Sequence, residues 1–543
     1  ELVVELREKA ASHRRLTLTF RAYDEGAAFC YTIPKQTGPR QTGPKQTGPK
    51  QAAMQEVNIS AEKSEFRFTA DHTAWAVYSA QGVYSKVPLS LIKPGCERPL
   101  TIRVDDKTYL AVAEARLVDY ARMKLGPLAG CPNALVSKLS GPVRAKLPLT
   151  TPWRVVMTAG SSGQLLENND ILLNLNDPCA IADTSWIKPG KVLREVTLTT
   201  AGGKACVDFA VKHNLQYVEY DAGWYGHEYS DTSDATTVAV DPKRSPGPLD
   251  LPEVVRYAKD RGIGIILYVN RRALERQLDE VLPLFEKWGI KGVKYGFVNV
   301  GSQRWTSWLH EAVRKAAKYR LMIDVHDEYR PTGYSRTYPN LMTQEGIGGD
   351  ETSPSNEQTL NILFTRMIAG AGDNTICYYN QRVAHNATHA YQLAKAVCLY
   401  SPWQFLYWYD RPETSPLQKG GAGNTKARMG DEPEIEFFDS VPTVWDDTRV
   451  LAGKIGCFAV IARRSGKNWF VGCMNAKTPR MLEVPLSFLE KGKKYTAHVY
   501  SHDPNAPTRT HVKIERLPVD STRVLKANLL GNDGQAIRIV PAE

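Results

Sequence analysis

Several absences narrow the field. The nine cysteines, at 30, 96, 131, 179, 206, 377, 398, 457 and 473, include no C-x-x-C pair, so a zinc site of the usual spacing is not expected. Their odd number argues against a complete disulfide framework. No apolar run approaches the roughly twenty residues that cross a bilayer, and no transmembrane segment is expected. The formal net charge is +11, but it is spread along the chain without a Lys/Arg run or a nucleic-acid motif, so nucleic acid is not an expected partner. There is no initiating Met and no signal peptide. The chain starts at Glu1 inside a strand-like pattern, which reads as a mature or truncated chain whose targeting signal is not shown.

What is present is long and ordinary in balance. At 543 residues, 42% hydrophobic and 23% charged, the chain needs two to four cores rather than one. Eleven Trp and 25 Tyr suit stacking on sugars and plain cores equally well. Residues 1–175 alternate as strands do, for example over Leu16–Tyr23, Glu65–Phe68 and Tyr109–Ala113. They predict an N-terminal antiparallel β-sandwich whose first strands lack partners, as if its front were missing. Within it, residues 36–50 repeat Q-T-G-P-(R/K) and can bury nothing.

Residues 176–415 change character. Strands are predicted at Gln216–Asp221, Gly264–Val269, Gly292–Val298, Leu321–Val325, Asn340–Thr343, Thr375–Tyr379 and Gln404–Trp408. Helices are predicted at Leu251–Arg261, Leu274–Trp288, Gln303–Lys318, Glu357–Ala369 and Thr388–Tyr400. This alternation fits a (β/α)8 barrel. A doubly wound open sheet is the alternative, but no Gly-rich phosphate fingerprint follows any strand. From 416 to 543 strand alternation returns and predicts a C-terminal β-sandwich packed on the barrel.

In a parallel barrel the strand ends mark the active site. Asp221 and Trp224 end the second strand, Asn270 the third, Lys294 and Gly296 lie in the fourth, and His326 and Asp327 follow the fifth. Glu345 follows the sixth, with Glu351 six residues on. An acid and aromatic rings there suit a sugar, so Asp221, Trp224, Asn270, Lys294 and His326 are the expected sugar-binding residues. Gly296 stands where a mouth-facing side chain is expected, and glycine in a strand interior marks a close approach or a bulge. Acids crowded in one place are costly unless they bind a metal or share protons. Glu167, Asp327, Glu345 and Glu351 could together form an all-oxygen site, which favours Ca²⁺. A solvated acidic loop is the plainer alternative.

Seven ordered motifs carry a resemblance. They are R-A-Y-D-E-G-A-A-F at 21–29, T-P-W-R at 151–154, L-N-D-P-C at 175–179, Y-D-A-G-W-Y at 220–225, R-P-T-G at 330–333, R-T-Y-P-N at 336–340 and Q-E-G…G-D-E at 344–351. Across nearly the whole chain they resemble glycoside hydrolase family 97. The resemblance implies a β-sandwich, barrel and β-domain architecture and a Ca²⁺-dependent exo-acting α-glycosidase, periplasmic or secreted, acting on oligosaccharides with terminal α-linked sugars. It implies Glu351 as the acid. In retaining α-galactosidases of the family the nucleophile position matches Gly296, and in inverting α-glucosidases the base position matches Asp327. The run K-Y-x-F-V-N around Gly296 is closer to the retaining type. The leading expectation is therefore an α-galactosidase without its nucleophile, open to rescue by a small anion in the space beside Gly296. An inverting α-glucosidase with Asp327 as base, and a non-catalytic carbohydrate-binding protein, are the alternatives.

Overall fold

The computed structural model describes residues 1–10, 13–36, 56–417 and 427–542. Nearly all of the Gln-Thr-Gly-Pro repeat, residues 37–50, lies outside them. The N-terminal domain is built on a nine-stranded sheet. Trp153–Ala159 lies inside it, antiparallel to both Gly26–Ile33 and Thr108–Ala115. A three-stranded sheet, Glu65–Arg67 with Met123–Leu128 and Cys131–Leu139, faces it across Ala74, Leu100, Ile102, Val112 and Leu135. The first strands do have partners. Leu2–Arg7 pairs with Arg15–Tyr23, which pairs with Gly26–Ile33.

The centre is a parallel sheet of seven strands curled toward closure. In chain order they are Gly190–Glu195, Tyr217–Tyr220, Gly264–Asn270, Gly292–Gly296, Met322–Val325, Leu341–Gln344 and Trp403–Leu406. The predicted strand Thr375–Tyr379 is reduced to one parallel bridge, Ile376 to Leu406. The segment before it nonetheless closes the ring. Asp373 N–H donates to the Gln344 carbonyl at 3.1 Å and Ile376 N–H to the Phe405 carbonyl at 3.0 Å. The predicted helix Gln303–Lys318 is observed at those residues. The first strand was not foreseen, because Lys191, Arg194 and Glu195 break its apolar pattern. Their partners come from afar, as when Lys191 Nζ donates to the Phe438 and Asp439 carbonyls.

Side chains alternate along each strand, so those pointing into the barrel stack in layers. The floor is apolar: Val192, Tyr217, Ile266, Met322, Trp403 and Phe405 pack together. Two residues further along the strands come Arg194, Glu219, Tyr268, Lys294 and Asp324, all buried. Two further again come Asp221, Asn270, Gly296 and His326. Polarity thus rises from floor to mouth.

The C-terminal domain has a six-stranded antiparallel sheet from Asp447 to Pro541 and a pair, Arg480–Pro485 with Val524–Leu529. Helix His389–Cys398 wedges it to the barrel, with Cys398 Sγ donating to the Gly472 carbonyl at 3.5 Å.

Candidate active site

The middle layer carries more charge than apolar strands usually hold. Lys294 Nζ lies 3.8 Å from Asp221 and 3.6 Å from Asp373. It sits 3.9 Å above the Trp408 ring, and the Arg194 guanidinium lies 4.3 Å from that same ring. Arg194 also reaches Asp221 at 3.5 Å. Burial opposes a charge on Lys294, but Asp373, Glu219 and Asp221 outweigh it and push its pKa up. Burial would raise Asp221, yet Arg194 and Lys294 hold it well below the usual carboxylate range. Burial and then the neighbouring Asp373 drive Asp324 far up. Among the described residues no donor reaches either oxygen of Glu219 or Asp324, while Asp373 Oδ2 faces Lys294 Nζ at 3.6 Å and His326 Nε2 at 3.4 Å. Buried polar atoms without protein partners, aimed into a barrel mouth, suit a ligand dense in hydroxyls.

Above this layer stands an acid–imidazole cluster. His326 N–H donates to the Tyr295 carbonyl, which fixes the residue at the end of its strand. Its Nδ1 is 3.3 Å from Glu345 and 3.9 Å from Asp327. Its Nε2 is 3.4 Å from Asp373 and 3.9 Å from Glu351. Burial disfavours its charge, but Glu345 above all, then Asp373 and Glu351, carry the imidazole well above its ordinary range. Asp327 adopts a left-handed backbone, φ 72°. It is held there by its own N–H to Glu345 Oε2 at 2.6 Å and by Phe297 N–H to its Oδ2 at 2.5 Å. Glu351 rides on a 3₁₀ turn, Asp350–Thr352. That turn is pinned from beneath by Lys395 Nζ to Asp350 at 2.5 Å and by Gln392 Nε2 to Asp350 at 2.6 Å. Buried Arg366 donates to the Gln344 and Glu345 carbonyls and fixes the end of the sixth strand.

The acids meet the demands of a cation in part. Ligand atoms of His326, Glu345 and Glu351 lie within 4.8 Å of one another, which one Ca²⁺ with ~2.3–2.6 Å bonds can span. Burial, and then Glu351 and Asp327, raise Glu345 far up although His326 opposes it, and its Oε1 has no partner. Glu345 and Glu351, with Asp327 beside them, are the residues whose chemistry fits such a cation. Glu167 does not join them. Its carboxylate ends helix Ser162–Glu167 and accepts from Val450 N–H at 2.5 Å, bracing the C-terminal domain. The N-terminal residue that reaches the acids is Gln81, whose Nε2 donates to Glu345 at 2.8 Å and to Asp327 at 3.5 Å. Arg330 holds Gln81's loop by donating to the Ser79 and Ala80 carbonyls.

Two further expectations are corrected. Trp224 does not face a sugar. It is fully buried, its Nε1 donates to the Tyr268 carbonyl at 2.7 Å, and it packs on Tyr225, Phe285 and Trp288. The tryptophan against the charged layer is Trp408. Nor is there an anion-sized space beside Gly296. A Cβ at 296 would fall 2.0 Å from Tyr268 Cε2 and 2.2 Å from its hydroxyl oxygen. The Tyr268 ring occupies that place, with Asn270 Nδ2 donating to its hydroxyl at 3.2 Å. Asn270 therefore supports the site through Tyr268, while its Oδ1 caps the next helix by accepting from Arg272 N–H. Sequence reading missed Arg194, Glu219, Asp324 and Asp373. For Glu219 and Asp324 the signal available was parity, since each stands two residues before a mouth residue, Asp221 and His326, while Asp373 lies two before the strand as drawn.

Comparison with known proteins bears on this arrangement. Residues 185–347 match the family model described as glycoside hydrolase 97, residues 1–178 its N-terminal model, and residues 444–540 the model described as C-terminal, oligomerisation. A probable retaining alpha-galactosidase of Streptomyces bingchenggensis is 31% identical over 87% of this chain and 70% of its own length. A retaining alpha-galactosidase of Bacteroides thetaiotaomicron is 32% identical over 72% of this chain, which spans only 60% of that relative. A solved family 97 enzyme from Pseudoalteromonas sp. strain K8, in complex with acarbose, superposes with a TM-score of 0.84 at 26% identity over 100% of this chain and 88% of that one. A beta-arabinopyranosidase shares the fold at 20% identity and a TM-score of 0.75 over 99% of this chain and 87% of that one.

Proposed function

Given that this chain belongs to glycoside hydrolase family 97, we propose that it acts on terminal α-galactosides of oligosaccharides, with Glu351 as the proton donor. The galactoside reading is carried by the similarity at 31% and 32% identity to two relatives named retaining alpha-galactosidases. Glu351 fits its role because it is the half-buried acid at the rim, anchored from below through Asp350. It protonates the leaving oxygen as the glycosidic bond breaks. Asp221, Lys294 and Asp373 present charge-assisted partners to the hydroxyls of the sugar, and Trp408 offers the ring beneath them. His326 places a positive charge between Glu345 and Glu351. Glu345 and Glu351, with Asp327 adjacent, would hold Ca²⁺, whose charge would offset their repulsion. No helix of the described residues is long and apolar enough to cross a membrane; release to the periplasm or the exterior is part of the proposal.

Retention needs a carboxylate about 5–5.5 Å from the acid on the opposite face, and position 296 offers none. Turnover by that route is therefore weak. A second reading has one specific observation in its favour: Asp327 Oδ2 sits at the 296–297 backbone, 2.5 Å from Phe297 N. From there it can take a proton from a water attacking in a single inverting step. The test is incubation with aryl α-galactoside and aryl α-glucoside, followed by NMR of the first anomer released. Faster cleavage of the glucoside overturns the substrate assignment, and efficient release of the β-anomer selects Asp327 as base.

A further inference from the structure

The last barrel strand, Trp403–Leu406, runs on into Tyr407-Trp408-Tyr409. Tyr407 and Trp408 are enclosed, and Tyr409 is left half-buried beyond them. Cations stand between these rings. Lys294 Nζ lies 3.9 Å from the Trp408 ring, and the Arg194 guanidinium lies 4.3 Å from that ring and 5.3 Å from Tyr409. The Arg382 guanidinium lies 4.3 Å from the Tyr409 ring. Cation and ring thus alternate from the charged layer outward. The inner cations face acids, Lys294 with Asp221 and Asp373, and Arg194 with Asp221. Arg382 differs. Among the described residues it forms no ion pair, and its side chain makes one hydrogen bond, from Nη1 to Asn380 Oδ1 at 3.5 Å. Asn380 is itself buried, and its Nδ2 meets no acceptor among the described residues. A half-buried guanidinium kept beside a ring and left without an acid suits neutral acceptors such as hydroxyls.

Its place in the ring decides which hydroxyls. With the segment 373–376 counted as wall, the last strand stands halfway round the ring from the fourth, which ends at Gly296. Position 296 and Asp327 mark the side from which the anomeric carbon is attacked. Glu351 stands on the other side of His326. The bond to the leaving group points toward Glu351, because that acid protonates its oxygen. Arg382 is on the same side. It lies in helix Gln381–Asn386, which follows the segment 373–376, and it lines one small cavity with Asp350 and Ser353, which bracket Glu351. Burial opposes the charge on Arg194, but Asp221, Tyr409, Glu219 and Glu351 outweigh it, so that side chain stands between the charged layer and the acid. We propose that Arg382, steadied by Tyr409, binds the leaving-group sugar by donating to hydroxyls of that unit. This rests on the glycosidase reading above and extends it to the second sugar. The charged layer reads the terminal unit, and the guanidinium, with donors in a fixed fork, reads oxygen positions on the next. A methyl or bare hydrocarbon leaving group offers Arg382 nothing.

The test is binding by titration calorimetry, which does not depend on turnover. The probes are methyl α-galactoside, cyclohexylmethyl α-galactoside, and galactose α-linked to the primary hydroxyl of glucose. Their second rings are absent, bare and hydroxylated in turn. The parent should bind the disaccharide about tenfold more tightly than either other ligand, the weight of a hydrogen bond to a charged donor. Arg382→Met, which keeps much of the side chain without its donors, should remove most of that ratio and leave the melting temperature unchanged. Tyr409→Ala, which frees the guanidinium, should also lose most of it, and Tyr409→Phe should keep it. A ratio near one in the parent overturns the proposal. So does a cyclohexylmethyl galactoside that binds as tightly as the disaccharide, since contact alone would then explain the gain. Equal weakening of all three ligands by Arg382→Met overturns it too, because that marks a structural role. If the α-glucosyl counterparts bind more tightly than the galactosyl ones, the substrate assignment fails instead, and the same ratios with glucosyl ligands still decide the role of Arg382.

Discussion

Gly296 and Tyr268 are complementary shapes, and exchanging one without the other should fail. Restoring a carboxylate by Gly296→Asp places a Cβ within 2.0–2.3 Å of three atoms of the Tyr268 ring, far inside van der Waals contact. The ring has nowhere free to go: it is buried, flanked by Asn270 and by the backbone that Trp224 caps. Overpacking of this kind costs about 1–3 kcal/mol, and the new carboxylate is driven off the attacking line. Gly296→Asp alone should therefore lower stability by that amount in urea unfolding and leave hydrolysis of an activated aryl α-galactoside near the parent rate. Gly296→Asp with Tyr268→Ala should gain at least about a hundredfold over Gly296→Asp alone, because covalent catalysis then has room. Its first product should be the α-anomer. Azide should not accelerate the parent but should accelerate Tyr268→Ala. Full retaining turnover by Gly296→Asp alone, with unchanged unfolding, refutes the argument, since Tyr268 would then be yielding freely.

Lys294→Met should unfold at lower denaturant by about 3–5 kcal/mol, because it strands Asp221 and Asp373 in the barrel; a shift below 1 kcal/mol in urea curves speaks against the charged layer. Trp224→Ala should cost about 3–5 kcal/mol of stability, whereas Trp224→Phe should keep galactoside affinity within twofold by calorimetry, contrary to a stacking role. Calcium should raise the melting temperature of the parent and of Glu167→Gln but not of Glu345→Gln; loss of the effect in Glu167→Gln would restore that residue as a ligand. His310 is buried, with Nδ1 on the Thr306 carbonyl at 2.7 Å and Nε2 on the Tyr329 hydroxyl at 3.0 Å, and burial lowers it to about 4. The unfolded state takes its proton near 6.5 and the folded state only near 4, so stability falls as pH drops through that window by roughly 3 kcal/mol. His310→Gln should flatten that part of the pH profile, and an unchanged profile between pH 7 and 4 would remove His310 as its source.

The barrel was legible because alternation of strands and helices is a long, repeated signal, and the helix Gln303–Lys318 was read to the residue. Where reading faltered, distant parts of the chain decided the outcome. Gly190–Glu195 looks too charged for a buried strand until Phe438 and Asp439 arrive to receive Lys191. Asp373 lies two residues before the strand as drawn, because Ala371-Gly372-Asp373-Asn374 reads as a turn. Only the pairing of Asp373 N–H with Gln344 and of Ile376 N–H with Phe405 turns it into barrel wall. Trp224 and Trp408 show the same limit at single residues. Both follow strand ends beside polar neighbours, and nothing local says which ring turns inward.

The misplacement of Glu167 has a different origin. Glu167 was expected in the acid cluster, but it lies where the N-terminal domain meets other domains at two junctions, and one acid cannot signal which it serves. Glu167 braces the C-terminal sheet at Val450, while the neutral Gln81 enters the acid cluster from the N-terminal sheet. An amide suits that place, because its N–H donates to the crowded carboxylates where another acid would add to their repulsion. Since Arg330 of the barrel grips the very loop that carries Gln81, the rim acids are set by two domains at once. The geometry of Glu345 and Asp327 is then a property of the junction as much as of the barrel, and a change that loosens the N-terminal sheet reaches the chemistry without touching a catalytic residue.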